Sequence, residues 1–159
     1  MQWQLQRFSK LDNHTLYHLL KLRVDVFVVE QQCPYPELDD KDHAMGAMHL
    51  LGYGNDGELQ AYARLLPPGC SYAQCSIGRV LVAASARGQG LGTLLMQQAV
   101  MACHGLWPDS AIRIGAQHHL QQFYASLGFA VVSAVYLEDG IAHVQMQLPP
   151  PREHTDSGA

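Results

Sequence analysis

Apolar positions along this chain alternate between two spacings. Leu5 and Phe8 mark a short N-terminal segment that reads as a first strand. After Lys10 the spacing changes. Leu16, Leu19, Leu20, Val24 and Phe27 recur every three or four residues, which is one stripe of an amphipathic helix. Pro34 and Pro36 cannot continue a helix, so it should stop between Glu30 and Gln32 and hand over to a rigid acidic loop at 33–42. Strands are predicted at 47–53 and 59–66, joined by the hairpin-type turn Gly54-Asn55-Asp56-Gly57. Pro67, Pro68 and Gly69 break the chain again, and 76–82 is apolar and β-branched, as a central strand is.

A glycine-rich turn then leads into a helix whose stripe is Leu91, Leu94, Leu95, Ala99 and Ala102. A strand at 111–116 follows, and then a short helix at 119–127 stopped by Gly128. Strands at 131–136 and 141–148 flank the turn Glu138-Asp139-Gly140. Residues 1–148 therefore read as a single domain, and 149–159, polar and proline-rich, as a loose tail.

At 159 residues, 48% of them hydrophobic, the chain can bury a core without disulfides or a structural metal. A net charge of −4 argues against nucleic acid as a partner, because affinity for a phosphate backbone needs a basic surface. No apolar run reaches the roughly 18 residues of a membrane span, and the opening segment lacks a signal-peptide core, so no membrane association and a cytoplasmic location are expected. Cys33, Cys70, Cys75 and Cys103 form no Cys-x-x-Cys pair and read as free thiols. His118 and His119 lack the helical spacing of a zinc site, and no metal is expected.

The informative stretch is Val80 to Thr93, a strand, a turn carrying Gly88, Gly90 and Gly92, and a helix N-terminus. Such a turn leaves backbone N–H groups without helical partners, and their dipoles converge on one anion. The glycines let phosphate oxygens approach the backbone, and Arg87 adds a positive charge. A P-loop would need a Lys after the glycines and a dinucleotide fingerprint would need Gly-x-Gly-x-x-Gly; neither pattern is present.

Arg87-x-x-Gly90-x-Gly92 resembles the cofactor motif of the GNAT (GCN5-related N-acetyltransferase) superfamily. Downstream, Gln117 to Phe129 is similar to that family's Asn-x-x-Ala-x-x-Phe-Tyr-x-x-x-Gly-Phe. Tyr124, Gly128 and Phe129 match, while Gln117 stands for the usual Asn and Leu120 for the usual Ala. The segments at 22–39 and 138–143 resemble the ElaA-like branch. The resemblance implies an α/β (α+β) GNAT fold: a mixed central sheet of about seven strands with a splayed central pair, and about four helices.

It also implies an acyl-CoA-dependent N-acyltransferase, acetyl-CoA serving as co-substrate and a small-molecule or peptide amine as acceptor, with a homodimer by family analogy. Val80, Leu81 and Val82 would bind the pantetheine arm, with an N–H near Val80 or Leu81 facing the thioester oxygen. Arg87, Gly88, Gln89, Gly90, Leu91, Gly92 and Thr93 would cradle the pyrophosphate, and Gln117 would contact the arm. The Tyr124 hydroxyl would stand near the sulfur. Histone-type relatives carry a carboxylate six residues before the Val82 position, but this chain has Ser76, which leaves Glu30, Glu138 and His143 as candidate bases.

The acidic loop around Tyr35 has a composition suited to a cationic amine, against the plainer alternative of a solvated loop. Arg23, Glu30, Tyr35, Glu37, Asp39 and Glu138 are thus the candidate acceptor-binding residues, while Arg23, Arg64 and Arg79 would organise the loop through bidentate pairs. Two other functions compete: a degenerate module that binds acyl-CoA without turnover, and an enzyme like the acyl-homoserine-lactone synthases, which the helix around Arg23, Phe27 and Glu30 also resembles.

Overall fold

The computed structural model describes residues 1–151, so most of the tail predicted to be loose, residues 152–159, lies outside the described residues. Strand β1 (Gln2–Arg7) pairs antiparallel with β2 (Met48–Tyr53), β2 with β3 (Leu59–Leu66), and β3 with β4 (Cys75–Val82). β4 runs parallel to β5 (Ile112–Gln117), and β5 is antiparallel to β8 (Ile141–Leu148). The far edge of β8 takes two short strands, β6 (Ala130–Val131) and β7 (Tyr136–Glu138). The sheet is mixed and α/β in class, with eight strands, seven in the order β1-β2-β3-β4-β5-β8-β6 and β7 beside β8.

Its two faces are packed differently. On one face, α2 (Leu91–Leu106) and α3 (Gln121–Ser126) cover a core of Leu50, Ala63, Leu65, Ile77, Leu95, Met96, Ile112 and Ile114. On the other, α1 (Asn13–Val24) lays Leu19 against Leu51, Tyr62 and Leu81. Asp12 caps α1 by accepting a 2.7 Å bond from the Thr15 N–H, one of the orphan donors of a helix start. The helix continues as a wider π-helical turn, Asp25–Glu30, with the Gln31 and Cys33 N–H groups reaching back to Val26 and Val28 carbonyls. It ends there, ahead of Pro34, as the prolines dictate.

Three α-helices stand where about four were expected: the stripe at 16–27 is one helix with a π-helical end, and the segment at 119–127 is a 3-10 turn (His118–Leu120) followed by the short α3. The continuous strand predicted at 131–136 is broken into β6 and β7. Between them Ser133 Oγ accepts from the Gln145 N–H at 2.9 Å, so a side chain takes the place of the backbone partner and the segment bulges off β8.

Strand β4 carries a second irregularity. Its register with β3 slips between the pairs Arg64↔Gly78 and Tyr62↔Leu81, and Arg79 sits there with φ of 53°. Left-handed backbone at a non-glycine residue inside a strand marks a bulge. This one turns the Arg79 guanidinium toward the acidic loop.

Candidate active site

β4 and β5 pair only at Cys75↔Ile112 and Ser76↔Arg113, and then diverge. The β4 edge from Gly78 to Val82 therefore has no strand partner, and a cleft of about 780 Å3 opens beside it, within the ordinary range for small-molecule sites. Val80, Leu81, Val82, Gln117 and Tyr124 all line this cleft.

At one end of the cleft lies the glycine turn. Gly88 and Gly90 have φ of 81° and 73°, conformations that side chains rarely adopt, and Gly90 is the N-cap of α2 without contributing a capping side chain. The N–H groups of the first turn, at Leu91, Gly92 and Thr93, thus have no helical acceptor. Arg87 stands beside them, but its guanidinium is engaged: Nη1 and Nη2 donate to the Glu30 carboxylate at 2.5 and 2.8 Å, and Nε donates to the Val82 carbonyl at 3.1 Å. Arg87 holds the Glu30 carboxyl below the ordinary carboxylate pKa, which weakens Glu30 as a base. Next to it Gln31 Oε1 accepts from Gln117 Nε2 at 3.3 Å, so the end of the π-helical turn touches both sides of the cleft mouth.

Tyr124 is 8% exposed and packs edge-on against Phe123 and Phe129. Burial pushes its pKa up to about 12. Across the cleft, His143 Nδ1 lies 2.7 Å from the Ile141 carbonyl, which can only accept, so Nδ1 carries a proton and, in the neutral ring, Nε2 is the acceptor. Nε2 faces Glu138 Oε2 at 3.4 Å, and Tyr136 stacks on the imidazole.

The acidic loop is tied down by arginines. Arg23 is fully buried and donates to Asp42 at 2.6 Å and Glu37 at 3.0 Å; Arg64 forks onto Asp39 and also reaches Asp42; Arg79 holds Glu37 and Asp39 and lies over the Tyr35 ring. Three guanidinium groups neutralise three carboxylates. Arg23 and Glu37 are members of this buried ion network and do not line the cleft. Tyr35, Asp39, Glu30 and Glu138 do line it.

Sequence reasoning passed over Lys41, Ser71, Tyr72 and Gly115, which also line the cleft. Only Gly115 carried a signal: a lone glycine inside a strand pattern marks a close approach. A Cβ there would stand 3.2 Å from the hydroxyls of both Tyr72 and Tyr136.

Residues 22–149 match the family described as "Acetyltransferase (GNAT) domain". The chain is 46% identical over 146 residues to Protein ElaA of Escherichia coli strain K12, a match covering 92% of this chain and 95% of that protein. An acyl-CoA N-acyltransferase from Pseudomonas aeruginosa superposes with a TM-score of 0.87 at 45% identity over 92% of this chain and 98% of that one. An aminoglycoside 6'-N-acetyltransferase complexed with coenzyme A shares the fold at a TM-score of 0.70 and 14% identity, over 94% and 98% of the two chains. Sequence and fold agree: this chain belongs to the GNAT acetyltransferase family, in the branch that holds the ElaA proteins.

Proposed function

We propose that this chain, acting through residues 1–148 as one unit, moves an acyl group, acetyl by default, from acyl-CoA to a primary amine. The observation that supports this most is the divergence of β4 from β5 in line with the uncapped start of α2. One end of the cleft offers unpaired amides and a guanidinium to a pyrophosphate; the other offers an unpaired strand edge to an amide-bearing arm. The co-substrate supplies a thioester whose acyl carbon accepts an amine, a C–N bond forming as the C–S bond breaks.

The protein's residues then have separable tasks. Gly88, Gln89, Gly90, Leu91, Gly92 and Thr93 hold the anion through their backbone, and Arg87 exchanges Glu30 for it, since one guanidinium fork serves one partner at a time. Val80 and Leu81 present backbone groups along the edge, with one N–H placed as an oxyanion donor; the Val82 carbonyl already accepts from Arg87. Gln117 contacts the arm after releasing Gln31.

His143 is the base we favour. In the neutral ring its Nε2 is an acceptor on the cleft wall, whereas the Glu30 carboxylate is tied to Arg87, and Glu138, exposed at its end, passes the proton on to water. Tyr124 donates a hydrogen bond toward the departing sulfur. With a pKa up to about 12 against a thiol near 8.5, complete proton transfer would be uphill by ~5 kcal/mol, so the phenol stabilises the thiolate without surrendering its proton.

A cytoplasmic location and a homodimer belong to the same proposal, by family analogy. A chain that binds acyl-CoA without turnover is the second reading, favoured by Ser76 on β4 where histone-type relatives carry a carboxylate. Thiol release from acetyl-CoA across a panel of amines, beside calorimetry of acetyl-CoA binding, separates the two. In the transferase reading Tyr124→Phe lowers kcat roughly 10- to 100-fold with acetyl-CoA affinity unchanged; an unchanged kcat removes the role given to Tyr124.

A further inference from the structure

The composition of the acidic loop suited a cationic amine, but Glu37, Asp39 and Asp42 are each paired with arginines. Which charges around the cleft remain without a counter-charge decides what acceptor it suits. On the cation side, Arg64, Arg79 and Arg87 each hold a carboxylate. Two cations at or beside this cleft do not, among the described residues: Lys41 lines it, and Arg113 stands next to it on β5, two residues before the lining Gly115. Lys41 Nζ donates only to Ser71 Oγ, at 2.8 Å. Arg113 donates to the side-chain oxygens of Gln145 and Gln147, and its guanidinium lies 5.7 Å from the Tyr72 ring centre.

These two cations are brought to one place by the chain itself. Ser71 and Tyr72 are adjacent, and both line the cleft, so Lys41 is anchored to one residue and Arg113 is stacked on the next. The floor between them is the half of the sheet that no helix covers. Ser76, Arg113, Gly115 and Gln117 share one face of β4 and β5 by register, and His143, Gln145 and Gln147 oppose the last three on β8. Gly115 is exposed, and the Tyr72 and Tyr136 hydroxyls converge above it.

Uncompensated acceptors lie at the other end of this floor. Tyr136 leads to His143, on which it stacks, and the Nε2 lone pair of His143 stands 3.4 Å from Glu138 Oε2. An ammonium group seated there could donate to both atoms at once, since it carries more than one N–H. The floor thus carries an anion receptor at the Tyr72 end and an ammonium receptor at the His143 end. A polyamine or an aminoglycoside would leave the first of these unanswered, and each unmatched charge on both partners would be desolvated without return.

Resting on the transferase reading, we propose that the acceptor is a small zwitterion of the amino-acid type, its carboxylate held by Arg113 and Lys41 and its amine placed against His143 and Glu138. Arg113 and Lys41 act in this as specificity-determining residues, with no part in holding coenzyme A.

The test is a titration of the purified full chain, with and without coenzyme A, using L-amino acids, their C-terminal amides and spermidine. Binding is read by calorimetry, and turnover by thiol release from acetyl-CoA. Acids should bind about tenfold more tightly than the matched amides, the discrimination expected of one charge-assisted contact, and in turnover the difference should appear in KM. Arg113→Gln and Lys41→Gln should each abolish most of that preference while acetyl-CoA affinity and melting temperature stay unchanged. Equal affinity for acid and amide, binding of neither, tighter binding of spermidine, or a preference that survives both substitutions overturns the proposal. The transferase reading fails by a different result, the absence of any heat with acetyl-CoA, and the acid-against-amide comparison on the free protein is read independently of it.

Discussion

Two sets of guanidinium–carboxylate pairs lie only a few residues apart in the sequence and behave as different materials. Arg23, Arg64 and Arg79 bind Glu37, Asp39 and Asp42 largely out of water, whereas Arg87 forks onto Glu30 at the surface, with both side chains more than 40% exposed. The bond lengths are alike; the surroundings are not. In the buried network each charge has lost its hydration, so removing one partner strands the other in an apolar setting. At the surface water replaces a lost partner at little cost, and the pair is exchangeable. The first set fixes the acidic loop over β3 and β4, and the second is the one that the proposed function has trade a carboxylate for a phosphate.

The sharpest way to break this contrast is Arg23→Ala. It leaves Glu37 and Asp42 buried with fewer partners and should lower the unfolding free energy by about 3–5 kcal/mol, read from denaturant midpoints. A loss within the surface range would mean that the network is no more than a set of solvated pairs.

Acid should expose the same difference. Burial works against the Asp39 carboxylate, but Arg64 outweighs it and holds the pKa below the ordinary value; Asp42 is likewise buried and likewise held down, by Arg23 and Arg64. Depressed carboxylates stabilise the fold fully above about pH 4 and lose that contribution as pH falls through their folded values. Each one that protonates only on unfolding costs about 1.4 kcal/mol per pH unit in that window. His49 adds a shallower decline at higher pH. Burial lowers its pKa, its ring bonds Tyr62 and the Asp42 carbonyl as a neutral tautomer, and stability should start to fall as pH drops below about 6.5. Melting curves from pH 7 to pH 3 check both stages, and a flat profile would remove the network from the stability argument.

The surface pair should respond through ligand affinity alone. Arg87→Gln should weaken acetyl-CoA binding about tenfold by calorimetry while the melting temperature stays put. The smallest expected effect is the most specific. Glu30→Gln frees the guanidinium and should tighten acetyl-CoA roughly two- to fivefold, in keeping with the modest strength of an exposed pair. Weaker binding, or a collapse of kcat with affinity unchanged, would instead make Glu30 a participant in the chemistry.

The difference between these regions also explains what could be read in advance. The fold was legible because period and punctuation are local: a three-to-four-residue stripe ending before Pro34, the turn at Gly54 to Gly57, and Gly88, Gly90 and Gly92 ahead of an apolar stripe. The break of the last edge strand was not legible, because it depends on Ser133 reaching a backbone N–H twelve residues away. For the candidate site, the cradle was visible as a motif, since its donors are consecutive backbone groups. Which arginine each loop carboxylate meets was hidden, because Glu37, Asp39 and Asp42 look the same in a sequence whether they face water, Arg23, Arg64 or Arg79.

By itself, then, the sequence determined the order of most strands and helices, the place of the glycine turn ahead of α2 and the family. Tertiary structure alone decided which charges cancel. Arg64 meets Asp39 and Arg87 meets Glu30 across 25 and 57 residues, while Arg113 and Lys41 meet no carboxylate among the described residues. Charge pairing depends on distance and burial in space, and composition along a chain fixes neither.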